Sequence, residues 1–387
     1  MKNQAFAMMV LVILYLPLLV SAQVKVGAAR TGQYYPLIKD KTVAIVANNA
    51  SVVDGRNIVD VLIKDGIHPA RIFSPEHGFR LNEEAGREIE HSLDSATGIQ
   101  VTSLYGARKK PSADDLAGVD VILFDIQDVG VRFYTYISTL TCMMEACAEN
   151  NVPLIVLDKP NPNGFYIDGP ILEKQFTSFV GMHPVPIVYG MTIGEYALMV
   201  NGEGWLSGGI KCKLTVIPVE SYTHRTNSKL PAWPSPNLPN MNAIQLYPSL
   251  SLFEGTVVSV GRGTHFPFEV FGYPGYRKSD FSFIPCSIPG MSVKPPYEGQ
   301  KCYGIDLRGF YRMYPESSGK INLAWLIEAY RDWKGKPGFF NSYFNKLAGT
   351  ASLQNQIIQG MAEKKIRASW KPGIEKFKKI RKKYLLY

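Results

Sequence analysis

A glutamate and a histidine stand side by side in Ser74-Pro75-Glu76-His77-Gly78-Phe79, directly after a short apolar run. A carboxyl in that setting can give or take a proton. Pro75, with its fixed φ, and Gly78, which tolerates positive φ, provide the turn that would expose it. A capping or salt-bridged surface glutamate is the plainer alternative. His77 reads as a residue that orients the acid or binds a ligand, with a satisfied structural imidazole as the competing reading. A second acidic cluster, Asp125-Ile126-Gln127-Asp128, follows the next strongly apolar run and leads into Arg132, Tyr134 and Tyr136. Carboxylates, an amide and phenols suit a polyhydroxylated ligand, and a guanidinium suits a carboxylate or phosphate. In the competing arrangement Asp125 or Asp128 pairs internally with Arg132 and caps the next helix.

Other apolar runs end in the same way. Asn48-Asn49 closes the first, and Asp158-Lys159-Pro160-Asn161-Pro162-Asn163-Gly164 closes a later one with stiffened donors and acceptors. Polar groups that recur where buried strands end line the clefts of α/β enzymes. Further along, Ser235-Pro236-Asn237, Glu254-Gly255-Thr256 and the stretch holding Arg262, Thr264 and Glu269 are the comparable clusters, and they are the expected opposite wall. Sharper motifs are missing. The loop after the first run is Asn48-Asn49-Ala50-Ser51 and not a glycine-rich phosphate cradle, no Gly-x-Ser-x-Gly elbow occurs, and His, Asp and Cys never fall at metal-ligand spacing. The chemistry expected is therefore acid catalysis with no metal and no cofactor.

The elements that must position these residues alternate between β-rich runs and helical segments from position 41 to about 220. Strands are expected over 42–47, 71–74, 100–104, 119–124, 153–157 and 214–219. Between them lie an apolar stripe at Val59, Leu62 and Ile63, a short helix capped by Ser112, a helix over 136–150, and one begun by Thr192 with Glu195 at capping-box spacing. This is the pattern of an α/β, doubly wound, mostly parallel sheet. Residues 79–99 interrupt it with a polar stretch that reads as a lid insertion, with Gly86 and Gly98 as hinges. The Pro-rich run 231–239 is incompatible with a helix or central strand. It divides a domain over 23–230 from a smaller α+β auxiliary domain over 231–387, whose clearest helix is 321–333.

Residues 1–22 read as a secretory leader, with Lys2, an apolar run over 8–20 and a small-residue site at Ser21-Ala22, so an exported protein, periplasmic or extracellular, is expected. No later stretch is apolar enough to imply membrane insertion after cleavage. The five cysteines give no disulfide framework; Cys286 with Cys302 is the one pairing that export would permit. Of the net charge of +9, residues 360–387 hold ten Lys/Arg against two Glu. Such a tail suits an anionic polymer or surface, but a solvated helix face is the plainer reading and no nucleic-acid partner is expected.

The motifs together are specific. Pro75-Glu76-His77-Gly78-Phe79-Arg80, Ser103-Leu104-Tyr105-Gly106, Phe124-Asp125-Ile126-Gln127-Asp128-Val129-Gly130 with Arg132-Phe133-Tyr134-Thr135-Tyr136, Leu157-Asp158 with Pro160-Asn161-Pro162, Gly190-Met191-Thr192-Ile193-Gly194-Glu195, and Glu254-Gly255-Thr256 with Gly261-Arg262-Gly263-Thr264 span nearly the whole chain. In these the chain resembles the bacterial exo-β-N-acetylmuramidases, the NamZ-type glycoside hydrolases of peptidoglycan turnover, formerly a domain of unknown function. The resemblance implies a Rossmann-like domain joined to an auxiliary domain, with the site in the cleft between them. It also implies release of N-acetylmuramic acid from non-reducing ends of peptidoglycan fragments. Leu81, Lys159 and the segment 257–260 depart from the family's usual pattern.

Glycoside hydrolysis needs a protonated acid beside the leaving oxygen and usually a second carboxylate. Glu76 is the candidate acid; for the second group Asp125 and Asp128 rank above Glu269 and Glu254, and the sugar's own acetamido group is a further option. His77, Asn48, Gln127, Tyr134, Asp158, Asn161, Asn237, Glu254, Thr264 and Glu269 are candidate substrate contacts. Arg132, Arg262, Arg80 or Arg87 would meet the lactyl carboxylate of muramic acid. The rival reading is a non-catalytic muropeptide-binding protein that uses the same cleft.

Overall fold

The computed structural model describes residues 23–80, 91–226, 230–333 and 336–387. The expected leader, Arg87 and the proposed hinge Gly86 lie outside the described residues. In chain order, β1 (Val43–Ala47) precedes a two-residue ladder of β2 (Val52–Val53) with β3 (Arg56–Asn57), then β4 (Arg71–Ser74), β5 (His91–Leu93), β6 (Gln100–Ser103), β7 (Val121–Asp125), β8 (Leu154–Leu157) and β9 (Leu214–Ile217). One sheet runs β5-β6-β4-β1-β7-β8-β9. All its pairings are parallel except β5 with β6. Counted without β5, the strands take the order 3-2-1-4-5-6 of a doubly wound dinucleotide-binding sheet, which reverses direction between β1 and β7. The six expected strands all form, with ends shifted by at most two residues. The interval expected as an insertion supplies the antiparallel edge strand β5.

The central strands are apolar along their whole length because both sheet faces are covered. Side chains alternate between two cores. Val43, Ile45, Val121, Leu123, Ile155 and Leu157 pack with Tyr34 and Ile38 of α1 (Thr31–Ile38) and Ile58, Val59 and Leu62 of α2 (Ile58–Lys64). Ala44, Val46, Ile122, Phe124, Leu154 and Val156 face the other way. Beyond the short α3 (Ala113–Leu116), that second face is covered by α4 (Tyr136–Glu149) and α5 (Ile193–Gly202). The capping boxes at Ser112–Asp115 and Thr192–Glu195 both form.

The C-terminal region begins with α6 (Met241–Leu250) and continues through a three-stranded antiparallel sheet of β10 (Val270–Tyr273), β11 (Ser282–Phe283) and β12 (Cys302–Asp306). It closes with helices α7 (Phe310–Met313), α8 (Leu323–Trp333), α9 (Phe344–Ala348), α10 (Ser352–Ile358) and α11 (Glu363–Arg381). Ile244, Leu246, Phe271, Leu326, Phe344 and Trp370 join the same core as Phe124 and Val156, so the two regions share one apolar interior. The basic tail is α11, docked through Ile366, Trp370 and Phe377. All five cysteines are free, Cys286 and Cys302 included.

Candidate active site

The carboxyl ends of β1, β4 and β7 flank the point where the strand order reverses, the place where open α/β sheets bind ligands. Glu76 stands there. After β4 the chain turns through Pro75 to Gly78, whose N–H donates to the Pro75 carbonyl at 3.2 Å. His77 takes φ 74° and Gly78 φ 72°. For a side chain larger than glycine the left-handed region costs about 1–2 kcal/mol, and such strain concentrates at functional sites. The Thr135 hydroxyl donates to Glu76 Oε2 at 3.0 Å. Thr135 is the N-cap residue of α4, yet its hydroxyl makes no cap bond to that helix. The Tyr105 phenol is also near Glu76, and burial together with the Glu76 charge pushes it up to about 12.

Glu76 and Thr135 form part of the wall of two cavities, one of about 70 Å³ and a larger one of about 560 Å³. The small one is closed by His77, Tyr134 and Tyr136 from the sheet region and by Ser235, Asn237, Arg262 and Phe268 from beyond the Pro-rich run. His77 Nε2 lies 3.2 Å from Ser235 Oγ. Burial, with Arg262 adding to it and Glu76 opposing, holds this imidazole below its ordinary value. Arg262 Nε donates to Glu254 Oε1 at 2.5 Å, and its guanidinium lies 4.9 Å from the centre of the Phe268 ring. Phe268 has φ 57°, a second strained residue on the same wall. The phenols are fixed from behind: Tyr134 and Tyr136 donate to the Pro234 carbonyl at 3.1 and 3.0 Å, and Asn48 Nδ2 donates to the Tyr136 hydroxyl at 3.0 Å.

His77, Tyr134, Asn237 and Arg262 are thus brought around Glu76, with Glu254 behind Arg262. Other expected site residues are not. Asp125 follows the strand alternation onto the α1 face and forms an ion pair at 3.0 Å with Lys159, both fully buried. Asp128 is buried, with Oδ2 accepting from the Gly130 N–H at 2.7 Å and from the Tyr189 hydroxyl. Gln127 Nε2 donates to the Asp128 and Pro160 carbonyls. Arg132 is fully buried and gives its protons to the Pro170, Val185, Leu347 and Ala348 carbonyls at 2.7–3.0 Å. Neither acid therefore pairs with it.

Asp158 accepts from Thr192, Gly194 and the Tyr387 hydroxyl. Asn161 holds the Met191 carbonyl, and its side chain sits where a Cβ on Gly130 would lie, 2.2 Å away, so only glycine fits that position. Thr264 closes its own turn onto the Gly261 carbonyl. Glu269 accepts from Asn240 and Asn242 in a separate groove beside Arg308. Arg80 is bound to Asp60 and Asp94. Each of these polar groups found a partner inside the fold. Asn48 alone among them acts at the site, through Tyr136.

Sequence reasoning passed over Tyr105, Thr135, Tyr247, Tyr343, Lys109 and Lys346, all of which line the two cavities. Thr135 and Tyr105 lay inside quoted motifs, a usable signal. The others come from distant segments with no local pattern. Among the described residues no group of three or more His, Cys, Asp or Glu side chains could hold a metal ion.

Burial pushes the Asp128 and Asp158 carboxyls up to about 6. An unfolded aspartate titrates near 4, so between about pH 4 and 6 the folded state holds the extra protons. Stability from these two groups therefore grows as pH falls through 6 and is complete near 4. Asp128→Asn is expected to remove one share, on the order of 3 kcal/mol. Urea unfolding at stepped pH should show a wild-type minus variant difference that changes across this window. A constant difference would contradict the assignment.

The N-terminal family model of the exo-β-N-acetylmuramidase NamZ matches residues 43–242, and the C-terminal one matches residues 245–387. A Bacillus subtilis (strain 168) protein, the peptidoglycan β-N-acetylmuramidase NamZ, is 37% identical over 373 residues, 92% of this chain and 89% of that protein. Two crystal structures of DUF1343 family proteins from Bacteroides fragilis NCTC 9343 are similar throughout. One has 45% identity and a TM-score of 0.87 over 95% of this chain and 99% of its own. The second has 25% identity and a TM-score of 0.75 over 94% of this chain and 99% of its own.

Proposed function

This chain belongs to the exo-β-N-acetylmuramidase NamZ family, and from that membership we propose that it removes N-acetylmuramic acid from the non-reducing ends of peptidoglycan fragments in cell-wall turnover and recycling. The observation that carries this reading is the position of Glu76. Among the described residues it is the one carboxylate on the wall of either cavity, and it stands at the carboxyl edge of the sheet where the strand order reverses. Thr135 orients it through its hydroxyl, and Tyr105 lines the cavity beside it. A Glu76 carboxyl carrying a proton delivers it to the glycosidic oxygen as the bond to the anomeric carbon breaks. Glu254 is occupied by Arg262, so the sugar's 2-acetamido oxygen supplies the attack on that carbon, and water later opens the cyclic intermediate as it returns a proton to the Glu76 carboxylate. The apolar segment 8–20 supports an exported enzyme.

Incubation with a saccharide that ends in β-linked N-acetylmuramic acid is expected to release that sugar one residue at a time. NMR of the first product should show the β anomer, the outcome of two successive inversions. Saturable binding without product would point to the muropeptide-binding alternative, and an α anomer formed first would remove the role of the acetamido group.

A further inference from the structure

The larger cavity extends from Glu76 to a pair of ammonium groups, Lys109 and Lys346. Among the described residues neither has a carboxylate within ion-pair reach, whereas the neighbouring Lys110 is held by Glu149 at 2.8 Å. Lys109 is not a free surface arm: its Nζ sits 4.4 Å from the centre of the Phe179 ring, which limits where the charge can go. Ser178 lines the same cavity, and its hydroxyl oxygen is buried and has no partner. The backbone of Ser178 is already satisfied by two bonds of 2.9 Å with Gly181, so the hydroxyl alone is left for a ligand. The arginines expected to meet an anion are committed elsewhere. Arg132 serves backbone carbonyls, Arg80 serves Asp60 and Asp94, and Arg262 is neutralised by Glu254.

We propose that Lys109, Lys346 and Ser178 form a carboxylate subsite that anchors the substrate while its glycosidic bond lies at Glu76. The proposal rests on the hydrolase reading above and adds to it the residues that select an acidic saccharide. Two ammonium groups and a hydroxyl can fill the acceptor positions of one carboxylate, and their positive charge favours an anion in a chamber where, among the described residues, Glu76 is the one other charged group on the wall. The carboxylate has two possible sources in the substrate: the lactyl group of the scissile sugar, or an acid on the departing side.

The test compares wild type with Lys109→Gln/Lys346→Gln on three substrates. These are an aryl β-N-acetylmuramide, the same glycoside with its lactyl group as the carboxamide, and a saccharide whose departing part carries a carboxylate. If the lactyl group is held, KM for the first rises about 10- to 100-fold while the carboxamide is unaffected. If the departing acid is held, only the third substrate shows that rise. Unchanged KM for all three, with circular dichroism showing a folded variant, overturns the subsite. Failure of wild type to cleave any of them would instead count against the hydrolase reading; calorimetric Kd values for the acid and amide glycosides then decide the subsite by the same comparison.

Discussion

Replacing Glu76 by Gln is expected to lower kcat on a β-N-acetylmuramide by about 10²- to 10⁴-fold, the range a positioned general acid contributes. The amide keeps the shape and can still accept from Thr135, which now donates to Oε2 at 3.0 Å. It cannot deliver the proton. KM should change much less than kcat, because Tyr134, Tyr136, Asn237 and Arg262 still form the wall. An aryl leaving group that needs little protonation should recover part of the loss, which a purely structural role for Glu76 would not produce. Turnover near wild type would remove Glu76 from the chemistry.

Arg132→Met is expected to cost about 3–5 kcal/mol of stability, because it takes the shared donor from several buried carbonyls at once. Burial pushes this guanidinium down to about 9, which still leaves it charged at neutral pH. Its acceptors are four backbone carbonyls, which no substitution elsewhere can take away. Leaving several of them without a donor costs about 1–3 kcal/mol each. The added apolar contact of methionine offsets only part of that. Leu347 and Ala348 lie in α9, close to Tyr343 and Lys346, so the variant should also loosen the wall of the larger cavity. A urea midpoint equal to wild type would show that the carbonyls find other donors.

The strands were legible because parallel strands covered on both faces are apolar from end to end, and the capping boxes because Ser112 and Thr192 each meet an acid three residues on. Glu76 stood out through the turn that carries it. Polar density at strand ends, however, reads the same whether a side chain faces a cleft or a buried partner. Asp125 pairs with Lys159, and Asp158 with Tyr387, far along the chain in both cases, so nothing local separates them from Glu76. Period-two alternation sends Asp125 to the α1 face, but which face a second region covers is decided by tertiary packing. Lys109, Phe179 and Lys346 meet for the same long-range reason and left no trace in spacing.

The most direct measurement is a crystal structure of the Glu76→Gln protein with a saccharide ending in β-linked N-acetylmuramic acid. The scissile oxygen is expected within hydrogen-bond reach, about 3 Å, of the side chain at position 76, with the terminal sugar against Tyr134, Tyr136 and Arg262. A saccharide seated with that oxygen away from position 76, for example in the groove beside Glu269 and Arg308, would contradict the placement of the reaction at Glu76.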